Sequence, residues 1–449
     1  MASFRIALLL KRLVSWFAPD QKDRSSKRVV QSEKHPLGIN IGIDFGTSFT
    51  KVCFRDVGFE TSKLVSFETR SGRVQIIPSI VCVHGGKLFM KHWREIAGSG
   101  NVKYLKMRVA GLHINDLDPS IGGINLRDER TCRALASWFL ANVLKESMTF
   151  IELTERERLV NRTIIWTANV GVPVEHYDSP LIEVFREVLG VAWRWTEEKC
   201  IPSTLEELLS SYESGVTRSE GADFHAIPEI SAAIQSFVMS REARPAFYVY
   251  FDIGGGTVDG VAFKYENWNG QKLVRFYSGK VEALGMDVRS ETLPFYTVKS
   301  EVLDESKLNE LGNFEKRVRM LVNGVIMTAK KKHGSSWYHD MARLDFFVGG
   351  YGASDAWYIT TMESTYHISN LKNAGIPPYR MVKVSAPSDL DMSQSVGKEF
   401  GRFAIAYGLS IPNGEGPEIT LPSKIEPKEP SYKDSSGITD YHNSKDVYE

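Results

Sequence analysis

The chain has 449 residues, of which 42% are hydrophobic and 24% charged, with a formal net charge of +0. Those values describe an ordinary globular protein of about two to three domains, and they give no global electrostatic case for nucleic acid. The four cysteines, Cys53, Cys82, Cys132 and Cys200, form no C-x-x-C pair. That argues against a zinc site or a disulfide framework and for a reducing cytoplasm.

Residues 1–18 read as a basic amphipathic helix. At helical periodicity Ile6, Leu9, Leu10, Leu13, Val14, Trp16 and Phe17 share one broad side, opposite Arg5, Lys11, Arg12 and Ser15. Such a helix can lie in a membrane interface or dock on this protein or a partner, and the residues do not choose between the two. Lipid binding would put the chain on the inner face of a membrane. Lysine and arginine interrupt the apolar run, and no small-residue cleavage site follows, so a secretory signal is disfavoured. No run of about 18 apolar residues occurs, so no spanning helix is expected. Residues 19–37 read as a charged linker.

Ile39, Ile41 and Ile43 then alternate into Asp44, Gly46-Thr47-Ser48 make a turn, and Val52 and Phe54 resume the alternation. This is strand, turn, strand. Lys51 stands seven residues beyond Asp44; it either folds back towards a phosphate or is a solvated strand lysine.

The same parts recur at residues 247–263, F-Y-V-Y-F-D-I-G-G-G-T-V-D-G-V-A-F. An aromatic and β-branched strand reaches Asp252. Gly254, Gly255 and Gly256 break it, Thr257 adds a hydroxyl, and Asp259 adds a second carboxylate. Three glycines permit positive φ and leave amides bare, and such amides can converge on an anion. The carboxylates repel phosphate directly but suit the hydrated Mg²⁺ that accompanies it. A tight hairpin alone would explain the glycines, though not the flanking carboxylates. Neither G-x-G-x-x-G nor G-x-x-x-x-G-K-[ST] is present. A third cluster, Gly349-Gly350-Tyr351-Gly352, follows an apolar strand, and its glycines let the backbone approach a flat ring or a ribose.

Three such elements in this order resemble the actin, sugar kinase and heat-shock ATPase superfamily. The first phosphate motif matches Ile43-Asp44-Phe45-Gly46-Thr47-Ser48, the second Asp252-Ile253-Gly254-Gly255-Gly256-Thr257-Val258-Asp259, and the adenosine motif Val348-Gly349-Gly350. Within the superfamily the chain is most similar to the nucleotide-binding domain of seventy-kilodalton heat-shock chaperones. Ile77-Pro78-Ser79, Lys106-Met107-Arg108-Val109-Ala110-Gly111, Gly171-Val172-Pro173-Val174, Pro228-Glu229-Ile230-Ser231, Leu284-Gly285-Met286-Asp287 and Ala404–Leu409 each resemble a segment of that domain. The likeness covers residues 38–411.

The resemblance implies an α/β, actin-like ATPase fold. Two lobes, each a ribonuclease-H-like mixed sheet flanked by helices, would clamp ATP or ADP with Mg²⁺ in their cleft. Lobe I would span 38–242, with a polar insertion at about 196–225, and lobe II 243–411, with a small subdomain at about 288–342. Asp44 and Asp252 would hold the metal. Gly46, Thr47, Ser48, Lys51, Gly254, Gly255, Gly256, Thr257, Gly349 and Gly350 would bind the nucleotide. Lys106, Glu229 and Asp252 would serve catalysis, with Lys106 facing the transferred phosphoryl group and Glu229 orienting water. Glu315-Lys316-Arg317 and Lys330-Lys331-Lys332 compete for an adenine-facing role.

Two departures bear on function. No peptide-binding domain follows residue 411; residues 412–449 are rich in Pro, Gly, Ser and charge and are expected to be disordered. Lys51 also occupies the place of a phosphate-contacting lysine of actin. The first expectation is therefore an ATP-hydrolysing switch read by a docked protein partner. The alternative is an actin-like filament subunit, which implies self-assembly and attachment to membrane through residues 1–18.

Overall fold

The computed structural model describes residues 35–93, 96–111, 120–216, 223–239, 243–292, 305–334, 342–393 and 399–427. The amphipathic stretch 1–18 lies outside these residues, as do 428–449. Apart from His35, the described residues belong to the unit that begins at Pro36.

Two mixed sheets carry the fold, and they share one strand order. In the first, β1 (His35–Phe45), β2 (Phe49–Asp56) and β3 (Thr61–Leu64) form an antiparallel meander, with β4 (Ile76–Pro78) paired to the start of β2. On the other side of β1 stand β5 (Arg162–Val172) and, parallel to it, β6 (Phe224–Pro228). In the second, β7 (Ala246–Ile253), β8 (Val258–Trp268) and β9 (Gln271–Glu282) form the meander. Beyond β7 lie β10 (Leu344–Gly350) and β11 (Tyr379–Val382), both parallel. Each sheet thus runs third, second, first, fourth, fifth in chain order. Each third strand also gains a short parallel neighbour: β12 (Leu390–Asp391) on β3 and β13 (Glu418–Thr420) on β9.

The strands form because their apolar residues alternate. Ile39, Ile41 and Ile43 are fully buried, as are Phe247, Val249 and Phe251. In lobe I the helix α1 (Leu105–Val109) precedes α2 (Glu129–Thr154), whose N-cap Asp128 accepts from Thr131 N at 2.9 Å. The long helix lays Leu135, Phe139, Val143 and Leu144 into the core and packs beside α3 (Leu181–Glu197). The region expected as a polar insertion contains α4 (Leu205–Val216), which buries Leu208 and Tyr212 on lobe I. Its leucines recur at helical spacing within a polar sequence.

In lobe II the described part of 288–342 includes a single long helix, α6 (Glu305–His333). Its Val318, Leu321, Val322, Val325 and Ile326 are buried in the lobe's own core. α7 (Ala356–Ile368) packs beside it. The expectation of disorder from residue 412 fails for residues 412–427. Strand β13 joins β9, and Gln271 Nε2 donates to Glu418 Oε2 at 2.7 Å. Ile425 packs against the core of lobe II. The sequence there is polar overall, and these few pairing and apolar positions fix it.

A third apolar cluster joins the lobes; it includes Cys53, Ile230, Tyr250, Phe263, Phe347, Phe403 and Leu409. At its centre α5 (Glu229–Ala233) meets α8 (Ala404–Ser410). Buried Asn40 and Asn169, on β1 and β5, each donate from Nδ2 to Leu409 O, at 3.1 and 2.8 Å. They also reach Ser410 O and Ile411 O. Carbonyls that end a helix lack intrahelical partners, and here two strand amides supply them. Among the described residues no helix is long and apolar enough to cross a membrane.

The helix crossing is close because residue 408 is glycine: a Cβ there would lie 1.9 Å from Ala232 O. Backbone cannot swing aside as a flexible side chain would. Gly408→Ala should therefore lower the midpoint of urea denaturation by an amount equivalent to about 1–3 kcal/mol. Gly401→Ala, where a Cβ meets nothing within 4 Å, should leave it within about 0.5 kcal/mol.

Candidate functional site

The turns of the two hairpins meet across a narrow cleft of about 30 Å³. Gly46, Thr47, Ser48 and Lys51 line it from lobe I, and Gly254, Gly255, Thr257 and Gly350 from lobe II. Asp44, Lys106, Glu229, Asp252 and Asp259 line it as well. The structure thus brings together nearly all the residues singled out in the sequence. Gly256 and Gly349 do not line it.

The glycine triplet works differently from the expectation. None of Gly254, Gly255 and Gly256 has a positive φ. What forbids a side chain is proximity. A Cβ on Gly255 would lie 1.9 Å from Ser48 Oγ, and one on Gly256 would lie 2.3 Å from Thr47 Cγ2 and 2.7 Å from Met107 Sδ. The triplet's carbonyls are taken: Met286 N, Asp287 N and Gly285 N donate to Gly254 O, Gly255 O and Gly256 O at 3.0, 2.7 and 3.1 Å. The Leu284–Asp287 segment is thus the brace behind the turn. The amides of Gly255, Gly256, Thr47 and Ser48 donate to no described residue. Positive φ is needed at Gly350 instead, at 82°, and a Cβ on Gly349 would strike Tyr250 Oη at 1.9 Å.

Register places the charges. Asp44 stands directly opposite Lys51 on β1 and β2, and Lys51 Nζ lies 2.6 Å from Asp44 Oδ2. Lys51 is therefore a buried partner of Asp44, not a solvated lysine. On β7 and β8, Asp252 stands opposite Asp259, so the second hairpin pairs acid with acid. Lys106 on α1 and Glu229 at the start of α5 are buried, and Lys106 Nζ lies 2.5 Å from Glu229 Oε1. Gly171 leaves the room for Glu229: a Cβ there would lie 2.5 Å from Glu229 Cγ.

Carboxylates outnumber ammonium groups here. Asp44, Glu229, Asp252 and Asp259 face only Lys51 and Lys106, with Arg402 at the mouth. Burial and the neighbouring Asp44 push the Asp252 carboxyl up to about 7, against a pull from Lys51. Burial and Glu229 push Asp259 well above the carboxylate range. Burial also raises Glu229, although Lys106 opposes it. For Lys106, burial favours the neutral amine, but the attraction of Glu229 and Asp259 outweighs it and the ammonium is retained.

Several polar atoms in the cleft are buried and have no hydrogen-bond partner: Ser48 Oγ, Asp252 Oδ1 and Asp259 Oδ1. Buried polar atoms are satisfied as a rule. With the bare amides they fit a ligand that brings both phosphate oxygens and a cation. Among the described residues no three His, Cys, Asp or Glu side chains are placed to hold a metal by themselves. The donor set therefore suits Mg²⁺, which keeps several waters and leans on phosphate, better than a metal that requires a full protein cage.

The two basic runs on α6 do not line the cleft. Lys330 Nζ donates to Ala374 O and Lys332 Nζ to Pro422 O, and Arg317 faces Glu282. Sequence reasoning missed Phe49, Tyr351 and Arg402, which line the mouth. Phe49 and Tyr351 adjoin recognised motifs, but Arg402 carries no local signal. No family model and no curated protein matches the chain.

The raised Asp252 has a definite pH consequence. The folded protein holds this proton up to about pH 7, whereas an ordinary aspartate releases it near 3.8. Through that window the unfolded chain binds fewer protons, so this group's contribution to stability falls as pH rises and stays low above pH 7. Asp252→Asn should raise the melting temperature of the ligand-free protein more at pH 8 than at pH 4, measured by scanning fluorimetry. A second expectation concerns the buried ion pair. Lys106→Ala should destabilise by about 3–5 kcal/mol, because it strands Glu229, and Lys106→Met with Glu229→Leu should recover most of that in urea denaturation.

Proposed function

We propose that the chain is a Mg-ATP-binding, ATP-hydrolysing molecular switch of the actin-like two-lobed class. Its nearest likeness is to the nucleotide-binding domain of seventy-kilodalton heat-shock chaperones, and a docked protein partner reads its state. One observation carries the reading: unpartnered Ser48 Oγ and Asp252 Oδ1, with the bare amides of two glycine-containing turns, converge from two lobes of the same strand order.

Bound Mg-ATP supplies the phosphoanhydride and the cation that the carboxylates lack. Asp44 and Asp252 would hold the metal, which would neutralise charge on the phosphates. Thr47, Ser48 and Thr257 donate to phosphate oxygens, together with the amides of the turns containing Gly46 and Gly254–Gly256. Gly349 and Gly350 admit the nucleoside. Lys51 exchanges its bond to Asp44 for phosphate. Lys106 neutralises charge that develops on the transferred phosphoryl group. Glu229 leans on Lys106 through Oε1 and orients water with Oε2. Nucleotide between the turns sets the angle of the lobes, and a partner senses it.

The Lys51–Asp44 pair favours a second reading, an actin-like filament subunit, since that lysine sits where actin has one.

ATP turnover and sedimentation, with ADP, ATP and a non-hydrolysable analogue, test both readings on wild type and Asp252→Ala. The switch predicts slow turnover that falls at least about tenfold in Asp252→Ala, with no nucleotide-dependent pelleting. Pelleting with ATP that reverses on hydrolysis would establish the filament instead. If nucleotide neither binds nor turns over, both readings fail.

A further inference from the structure

The mouth of the cleft carries an aromatic and cationic cluster that the phosphate chemistry does not use. Tyr351 is 42% exposed although it lines the same cleft as Asp44 and Asp252. Its ring centroid lies 5.7 Å from that of Phe49, the residue that follows the Gly46-Thr47-Ser48 turn, with the planes inclined by 53°. The Arg402 guanidinium sits over the same Tyr351 ring at 5.1 Å.

The tyrosine is held by a stiff turn. Gly350 takes the positive φ that a side chain resists, and Gly352 N donates to Ile253 O at 2.9 Å. Arg402 lines the cleft as well. Its side chain forms no ion pair or hydrogen bond with a described residue, and its Nε is buried without a partner. A buried guanidinium N–H without an acceptor is costly, and this one belongs to a residue that lines the cleft.

The aromatic face and the free donor lie on one wall, next to the phosphate-compatible turns. A Cβ on Gly350 would lie 2.8 Å from the unpartnered Asp252 Oδ1, so the turn that carries Tyr351 abuts the metal-compatible end of the cleft. A ligand that satisfies both ends has a flat, acceptor-bearing ring joined to phosphates. We propose that Tyr351 is the stacking face for the nucleobase, and that Arg402 donates to an acceptor on the base or its ribose. The ring displaces Phe49, whose tilted contact with Tyr351 is the gate between the lobes. Aromatic faces bind every base, with about 1–3 kcal/mol of stacking; Tyr351 thus favours nucleotides over bare polyphosphates more than one base over another.

This assignment rests on the nucleotide reading of the cleft, and its test separates the two. Titration calorimetry with Mg-ADP and with Mg-pyrophosphate is applied to wild type, Tyr351→Ala, Tyr351→Phe and Arg402→Ala. Tyr351→Ala should weaken Mg-ADP on the order of tenfold and leave Mg-pyrophosphate unchanged. Tyr351→Phe should bind Mg-ADP like wild type, and Arg402→Ala should weaken Mg-ADP alone. Equal losses for both ligands in Tyr351→Ala, or no loss for Mg-ADP, would overturn the assignment. Should Tyr351→Ala fail to fold, Arg402→Ala decides by the same comparison. Wild type that binds pyrophosphate as tightly as ADP would sink the stacking role while leaving the phosphate site standing. Wild type that binds neither removes both.

Discussion

The constraint on which the site depends is electrostatic. Four carboxylates share a buried cleft with two ammonium groups, and a low-dielectric interior does not tolerate that excess. Two of the acids are committed, Asp44 to Lys51 and Glu229 to Lys106. Asp252 and Asp259 are left opposite one another on a hairpin, and burial holds both towards the protonated form. A divalent cation would relieve the excess. Phosphate without a cation would meet the carboxylates and be repelled. Under the nucleotide reading proposed above, the metal and the phosphates would enter the cleft together, since each alone would leave the charges unbalanced.

The same charges explain the local architecture. A hairpin sets residues on adjacent strands directly opposite each other with both side chains on one face. The first hairpin uses this to pair Asp44 with Lys51, and the second to pair Asp252 with Asp259. Equivalent backbones thus carry opposite chemistry: one lobe offers a neutralised pair and the other an acidic one. Lys106 comes from α1 and Glu229 from the start of α5, and they meet only once lobe I has folded around β5. Gly171 on β5 is the position that lets them do so.

This division sets what the sequence could reveal. The hairpins were legible because alternation and turn residues are local, and so was the recurrence of Asp, Gly and hydroxyl in both turns. The partner of Lys51 was not read from the sequence, which left it facing phosphate or solvent, although seven residues of spacing around a turn nearly fix its register with Asp44. The Lys106–Glu229 bond spans 123 residues and was not foreseen; the resemblance brought both residues to the site in separate roles. The glycine triplet was recognised for a reason the structure does not bear out, since composition reports that glycine is present and not whether φ or proximity demands it. The ordering of residues 412–427 was missed for a related reason: a short strand on a sheet edge needs few apolar positions, and its partner β9 is remote in sequence. Arg402 was beyond reach because nothing near it in the chain marks the cleft.

The close approach of the turns has a mechanical corollary. With Ser48 Oγ and Thr47 Cγ2 within a Cβ's width of Gly255 and Gly256, a polyphosphate can lie between the turns only if the lobes part there. The strand amides of Asn40 and Asn169 bind the carbonyl end of α8, so that helix moves with lobe I although it follows lobe II in the chain. Among the described residues the backbone passes from one lobe to the other between β11 and β12 and between α8 and β13, and opening must be absorbed there in part. Past β13, two adjacent residues bond to the two lobes. Ser423 Oγ donates to Asp178 Oδ1 of lobe I at 2.5 Å, while Lys332 Nζ of lobe II donates to Pro422 O at 2.7 Å. The segment beyond α8 is therefore held to lobe II by the pairing of β13 and the packing of Ile425, and to lobe I by surface bonds of small individual strength. A rotation large enough to admit a ligand must strain or release those bonds before it disturbs the buried crossing of α5 and α8, where Gly408 meets Ala232 backbone to backbone and leaves no slack.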